Sequence, residues 1–319
     1  MNLPKIHSIT KKIAVALIGG FLMIFLLFHM TANLFILRHD DGAWYSAFCH
    51  FMGTNWIVKV FEIGLLGFIA LHILLTLWLA LTNRLARPVR YHQPQRSKTH
   101  STSKLMVWTG ILIFVCLILH FTDFYFVKTG WVKGEYMVRT DKVESEEMMG
   151  LVQYAQSMNM TPEEFVDELE AEAMMYVDEN GDAGEVEQYI AGLRDRLGVL
   201  EILQRAYSEG NVTGDGEWIR HLTYDERQTL RRTLPESDPE PDFYFQAREK
   251  FHHAHIVLCY LLFFVILFMH MRHAFPSAFQ TLGLNNYNYN NIIEVLGEIF
   301  AWVILLGFSV VPVLVYLGL

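Results

Sequence analysis

Four histidines are each surrounded by apolar residues, and their residue type and setting indicate ligand chemistry. They are His29 in LLFHMTA, His72 in IALHILL, His120 in LILHFTD and His270 in LFMHMRH. An imidazole buried in hydrocarbon needs a partner for its ring nitrogens, so such residues are candidates for metal binding or proton transfer. Neutral nitrogen ligands in an apolar pocket suit iron porphyrin better than a hydrated divalent ion.

The elements that hold these histidines are apolar segments long enough to cross a bilayer, which takes about 20 residues. The chain of 319 residues is 52% hydrophobic and only 18% charged, against roughly 25% charged in soluble domains. The predicted spans cover residues 12–37, 56–82, 104–127, 251–273 and 292–317. The first is too long for a signal-peptide core and lacks a small-residue cleavage site, so a permanent helix is expected. The sequence therefore predicts an all-α integral membrane protein with a bundle of five transmembrane helices.

Charge predicts how these helices are oriented. Basic residues cluster before the first span and between the second and third spans: Lys5, Lys11, Lys12, Arg84, Arg87, Arg90, Arg96, Lys98 and Lys104. Because positively charged connections stay inside, we expect a cytoplasmic N-terminus and a periplasmic C-terminus. Residues 128–250 then lie outside, with 28 acidic and 13 basic residues.

This acidic insertion between the third and fourth helices is predicted to be mainly helical. Thr161, Pro162 and Glu164 are typical of a capping box that opens a helix to about residue 176. A second helical pattern covers roughly residues 184–207, and Thr223 with Glu226 opens a third. Asp178, Asn180 and Asp182 match the start of an EF-hand loop, but Ala183 and Tyr189 replace its required Gly and Glu, which favours a solvated acidic turn.

Depth along the predicted helices groups the four histidines into two pairs. His29 and His120 lie about 24 Å from the inner ends of their helices, whereas His72 and His270 lie about 17 and 9 Å from theirs. Two pairs at two depths suit two haems, each with an imidazole on both faces of the iron. No CxxCH occurs, so attachment is expected to be non-covalent, as in b-type haems. His255 is the main alternative to His29 or His120 as an outer ligand.

Other polar residues define the rest of the candidate chemistry. The cysteines, Cys49, Cys116 and Cys259, are too far apart in sequence to predict a disulfide framework or an iron–sulfur site. Glu62 lies near the outer end of the second helix, where a carboxylate can exchange protons with a quinone headgroup. An interfacial acid beside Lys59 is the alternative interpretation of Glu62.

Several segments resemble the cytochrome b membrane-anchor subunit of succinate dehydrogenase and fumarate reductase, in its five-helix, two-haem form. The resemblance covers about two thirds of the chain and omits the 128–250 insertion. It is carried by HMTAN, by NRLARPVRY after the second histidine, by TGILIFVCLILH, and by HMRHAFPSAFQTLGLN, which begin at residues 29, 83, 109 and 270. It implies that His29 and His120 hold a distal haem b, and that His72 and His270 hold a proximal one.

The resemblance also implies a function and partners. The chain would anchor a flavoprotein subunit carrying FAD and an iron–sulfur subunit to the cytoplasmic face of a bacterial inner membrane. Electrons would pass between those subunits, where the dicarboxylate chemistry takes place, and the quinone pool, most simply menaquinone. Membrane lipid is an expected partner, and nucleic acid is not. Two alternatives stay open: the cytochrome b of a hydrogenase, formate dehydrogenase or nitrate reductase, and a non-redox membrane protein with structural histidines.

Overall fold

The computed structural model describes residues 8–86, 101–180, 184–213 and 216–319, which are mainly helical. They divide into two compact units. The membrane unit comprises Met1–Phe121 and Ala247–Leu319, and the insertion unit comprises Thr122–Gln246. The α-helices are α1 Ser8–Leu34, α2 Ala43–Thr54, α3 Trp56–Leu85, α4 Ser101–His120, α5 Phe126–Thr129, α6 Glu146–Ser157, α7 Pro162–Asn180, α8 Gly184–Asp195, α9 Leu197–Ser208, α10 Tyr224–Thr233, α11 Phe243–Phe251, α12 Ala254–Thr281 and α13 Asn290–Tyr316.

Five helical segments of the described chain are long and apolar enough to cross a membrane, which confirms the predicted number. They are Ile9–Leu37, Trp56–Leu85, Leu105–Thr129, Ala254–Thr281 and Asn290–Tyr316. The largest difference between a predicted and an observed helix end is at α12. This helix continues through Pro276 to Thr281 instead of ending near residue 273. A helix in an apolar setting keeps its backbone groups paired, so it tolerates an internal proline that favours termination in water.

Helix α2, which lies between the first two spans, was not predicted. Gly42 precedes α2 with φ of 76°, a left-handed conformation that favours glycine. Asn55 then separates α2 from α3 and caps α3, because its side-chain oxygen accepts a hydrogen bond of 2.9 Å from the Ile57 amide. A single residue, Asn55, therefore joins α2 to α3.

The core of the membrane unit lies between α1, α12 and α13. Its buried side chains are Met23, Met30, Leu267, Met271, Ala301 and Ile304. Small residues bring the helix backbones close together, as is common in membrane bundles. A Cβ atom at Gly297 of α13 would lie only 3.1 Å from Cδ1 of Phe275 in α12.

Gly307 of α13 makes a still closer contact with Met30 of α1. A Cβ atom there would lie 2.1 Å from Sδ and 2.8 Å from Cγ of Met30, which is buried. We expect Gly307→Ala to lower the free energy of unfolding by about 1–3 kcal/mol, because it overpacks a filled core. Thermal unfolding in detergent checks this.

Gly53→Ala in α2 is the matched control, since no atom lies within 4 Å of a Cβ there. Alanine favours a helix over glycine by about 1 kcal/mol, so this variant should gain stability or stay unchanged. If both variants shifted stability in the same direction, the close contact at Gly307 would not limit packing.

The insertion unit combines helices with a small antiparallel sheet. The strands are β1 Tyr136–Arg139, β2 Trp218–Leu222 and β3 Glu240–Pro241, in the order β2-β1-β3. The sheet and helices α6 to α10 enclose one apolar cluster that includes Val138, Leu203 and Ile219, all almost fully buried. The insertion unit thus has a hydrophobic core of its own.

The predicted helix starts in the insertion are confirmed, and the structure adds helix α6, which was not predicted. Thr161 and Glu164 form reciprocal hydrogen bonds before α7, and Thr223 and Glu226 form a capping box before α10. The second helical pattern divides into α8 and α9, because the helix is interrupted at Arg196. The sheet was not predicted. The EF-hand-like segment includes residues 181–183, which lie outside the described residues, as do residues 87–100 of the basic connection.

Candidate functional site

The structure brings His29 of α1 and His120 of α4 together inside the membrane unit. Their ring centroids are 5.9 Å apart and their planes are nearly perpendicular. Aromatic rings surround the pair: Phe25 stacks on His29 at 5.5 Å, Phe308 lies 5.8 Å from His29, and Tyr260 lies 6.3 Å from His120. We call these two histidines pair A.

His72 of α3 and His270 of α12 form a second group, which we call pair B because each ring contacts a helix that also carries a histidine of pair A. His72 faces α1, since a Cβ at Gly19 would lie 3.5 Å from its Cε1 atom. His270 faces α4: its Nδ1 is 3.1 Å from Oγ1 of Thr109, and a Cβ at Gly110 would lie 3.8 Å from its Cε1. The backbone of a neighbouring helix therefore lies close to each ring of pair B.

The two pairs occupy two levels along the bundle. On α1, Gly19 beside pair B is followed ten residues later by His29 of pair A. On α4, Gly110 beside pair B is followed ten residues later by His120. At 1.5 Å per residue, both helices give a separation of about 15 Å between the levels. The four histidines therefore lie at two levels of the bundle, and their role as haem ligands stays a prediction.

No family model, curated protein or solved structure matched this chain.

The geometry of pair A fits two ligands on opposite sides of one metal ion. A metal–imidazole bond is about 2.0–2.1 Å long, which places the centroids of two imidazoles facing each other across the ion about 6 Å apart. The observed separation of 5.9 Å agrees with this value. A pair of imidazoles suits an ion whose other ligands come from a macrocycle.

One ring nitrogen of pair B is unsatisfied. Nδ1 of His72 is buried and has no hydrogen-bond partner among the described residues. An unsatisfied polar atom in an apolar interior costs about 1–3 kcal/mol, and this nitrogen faces α1, where a Cβ at Gly19 would lie 4.0 Å from it. The chemistry of both pairs, neutral nitrogen donors in an apolar pocket, fits iron porphyrin.

Glu62 lies on α3, half-buried, ten residues before His72. The contacts of His72 with Gly19 and of Phe68 with Phe21 show that α3 runs antiparallel to α1. Ten residues along α3 correspond to about 15 Å, so Glu62 lies near the level of pair A. That is the level at which sequence analysis placed the candidate quinone acid.

The other sequence candidates are placed apart from the two pairs. His255 is exposed, and its ring lies 5.7 Å from that of His253. The structure pairs His120 with His29 and gives His255 no comparable position. Packing of α4 against α12 brings Cys116 and Cys259 close enough to interact electrostatically, and both thiols are free.

Three residues near the histidines were missed by sequence reasoning. Asn33 donates a hydrogen bond of 2.7 Å to the backbone oxygen of His29, and Tyr45 of α2 donates one of 3.1 Å to Oδ1 of Asn33. Thr109 contacts His270. Asn33 follows His29 by one helical turn, which is a recognisable signal, whereas the contacts of Tyr45 and Thr109 depend on how the helices pack.

Proposed function

We propose that this protein is a two-haem cytochrome b that carries electrons between a membrane-bound dicarboxylate oxidoreductase and a quinone pool. The observation that carries the proposal is the arrangement of four membrane histidines as two pairs on two levels. The ring centroids of pair A are 5.9 Å apart, close to the distance expected for two imidazoles bound to one metal ion. The sequence resemblance to the anchor subunits of succinate dehydrogenase and fumarate reductase supports the assignment to dicarboxylate and quinone chemistry. The five apolar helices agree with the membrane location this function needs.

Each residue of the two pairs has a defined task in this proposal. His29 with His120 would hold a haem b at one level, and His72 with His270 would hold another at the second level. When bound, haem iron supplies reversible one-electron transfer. The rings of Phe25, Tyr260 and Phe308 surround pair A, and a neutral imidazole is the form that binds iron.

The proposed function requires partner subunits that carry the dicarboxylate site. The flavoprotein and iron–sulfur subunits would dock on the cytoplasmic side and hold the dicarboxylate site. The insertion unit would lie on the periplasmic side, because the positively charged connections are expected at the opposite, cytoplasmic face. Menaquinone is the proposed quinone.

The test is the haem b content of the purified membrane complex, with absorption spectra taken before and after succinate is added. Two haems per chain, at least one of them reduced by succinate, are the expected result. Two haems that formate or hydrogen reduces and succinate does not would assign the chain to another dehydrogenase. A chain without haem would leave the histidines as structural residues and contradict the proposal.

Glu62 is the proposed proton-exchanging group of the quinone site. Glu62→Gln keeps the size and polarity of the side chain but cannot bind and release a proton, so quinone turnover should fall by about a hundredfold. Haem content and haem spectra should stay unchanged. Steady-state turnover with a soluble menaquinone analogue measures this effect, and Glu294→Gln, at the start of α13, is the control. Normal turnover in Glu62→Gln would remove this residue from the mechanism.

A further inference from the structure

We propose that Thr109 is a positioning residue for His270, fixing its imidazole with the proton on Nδ1 and the lone pair on Nε2. The inference rests on the proposed function, because it takes His270 to be a metal ligand. It concerns a residue outside the four histidines. Its basis is that both 3.1 Å contacts of the Thr109 hydroxyl are hydrogen bonds only when the proton is on Nδ1 of His270.

The hydroxyl of Thr109 is buried and lies between two groups. Its Oγ1 atom is 3.1 Å from the backbone oxygen of Met106 and 3.1 Å from Nδ1 of His270. A hydroxyl has one proton to donate, and a backbone carbonyl can only accept. When Thr109 donates to Met106, its oxygen accepts from Nδ1–H of His270.

This distribution of protons determines which nitrogen of His270 can bind iron. A neutral imidazole carries one proton, so a protonated Nδ1 leaves Nε2 with a free lone pair. Metal-binding histidines generally donate their other ring N–H to an oxygen, which fixes ring orientation and raises ligand basicity. Thr109 supplies that oxygen from a neighbouring helix.

The contact distinguishes His270 from two other members of the pairs. Nδ1 of His72 has no hydrogen-bond partner. Nδ2 of Asn33 lies 3.5 Å from both ring nitrogens of His29, so it selects neither of them. Thr109 therefore affects the ligand basicity, and with it the redox potential, of only one of the two proposed haem sites.

A direct measurement of the tautomer is ¹⁵N NMR of histidine in the full-length chain, prepared without haem and solubilised in detergent. The His270 signals are assigned from their loss in His270→Gln. We expect the pattern of an Nδ1–H imidazole in the wild type and in Thr109→Ser, and a mixture of tautomers in Thr109→Val. An Nε2–H pattern in the wild type would mean that Thr109 donates to His270, and it would overturn the proposal.

Redox titration of the haem-loaded complex provides the second readout. Removing the hydrogen bond lowers the basicity of His270 and weakens its preference for oxidised iron, so Thr109→Val should raise one haem potential and leave the other unchanged. A tenfold loss of that preference is about 59 mV for a one-electron couple. Thr109→Ser should restore the wild-type value.

Thr76→Val is the matched control. Thr76 lies one turn after His72 on α3, and its hydroxyl bonds only to the backbone oxygens of His72 and Ile73. The control should leave both potentials unchanged. If the wild type holds two haems and Thr109→Val changes neither potential, the positioning role fails while the proposed function stands. A wild-type chain without haem would overturn both.

Discussion

Replacing His120 with alanine should remove one of the two proposed haems and leave the other spectrally intact. The remaining ring of pair A, His29, would then face the iron from one side only, in a pocket built for two imidazoles 5.9 Å apart. Haem at pair B, about 15 Å away along α4, should keep both ligands. Haem content by pyridine haemochrome and low-temperature absorption spectra measure the result.

A set of variants tests the pairing itself. His29→Ala should remove the same haem as His120→Ala, and the double variant should lose no more than either single variant. His72→Ala and His270→Ala should both remove the other haem. Loss of different haems in His29→Ala and His120→Ala would contradict the pairing.

His255→Ala is the control for a histidine at the end of α12 outside both pairs, since its side chain is exposed. Both haems should stay bound in that variant. Loss of the pair A haem in His255→Ala, with retention in His29→Ala, would instead favour His255 as the ligand that sequence analysis left open.

The depth of each histidine could be anticipated from sequence because helix geometry in a membrane is regular. A span of about 20 residues has a fixed rise per residue, so the depth of a histidine follows from its distance to the end of the apolar segment. Errors of a few residues at the helix ends shift depths by several ångströms, less than the separation between the levels. The extension of α12 to Thr281 is a larger error of eight residues, or about 12 Å.

Contacts between helices could not be anticipated in the same way. Thr109 faces His270 because α4 and α12 pack with one particular rotation about their axes. The sequence of a helix that is apolar on all sides does not indicate which side faces its neighbour. The same limit applies to Met30 over Gly307. These contacts come from shape complementarity in the packed bundle.

The sheet of the insertion unit was missed for a different reason. Strand β1 has three successive buried residues, Tyr136, Met137 and Val138, so it lacks the alternation that identifies a half-buried strand. Strand β3 has only two residues, Glu240 and Pro241. The partners of β1 come from about 80 and 100 residues later in the chain, a separation that local patterns do not encode.

A second large effect is expected at Asp242, whose loss should strongly destabilise the insertion unit. Asp242 is fully buried and accepts two hydrogen bonds from Arg220, of 2.7 and 3.0 Å. Its Oδ1 atom also accepts from the amides of Tyr244 and Phe245 at 3.2 Å, which caps α11. Asp242→Ala leaves a buried guanidinium without its charge partner, at an expected cost of about 3–5 kcal/mol.

Hydrogen exchange in the full-length chain measures this effect where it arises. Amides of β1 and β2, which hold the core of the insertion unit, should lose protection in Asp242→Ala, while those of α12 and α13 keep theirs. Asp141→Ala is the control, because the Arg139–Asp141 pair has similar bidentate geometry but is exposed. Exposed pairs contribute little, so protection in that variant should not change measurably.

The double variant Arg220→Met with Asp242→Leu separates the two contributions of Asp242. Replacing a buried ion pair by apolar residues of similar size is often neutral, because the cost of burying both charges disappears together with their attraction. We therefore expect the double variant to recover most of the protection lost in Asp242→Ala, less the contribution of the α11 cap, typically about 1 kcal/mol. If the double variant were as unstable as Asp242→Ala, the cap and the packing around residue 242, rather than the lost ion pair with Arg220, would be the source of the instability.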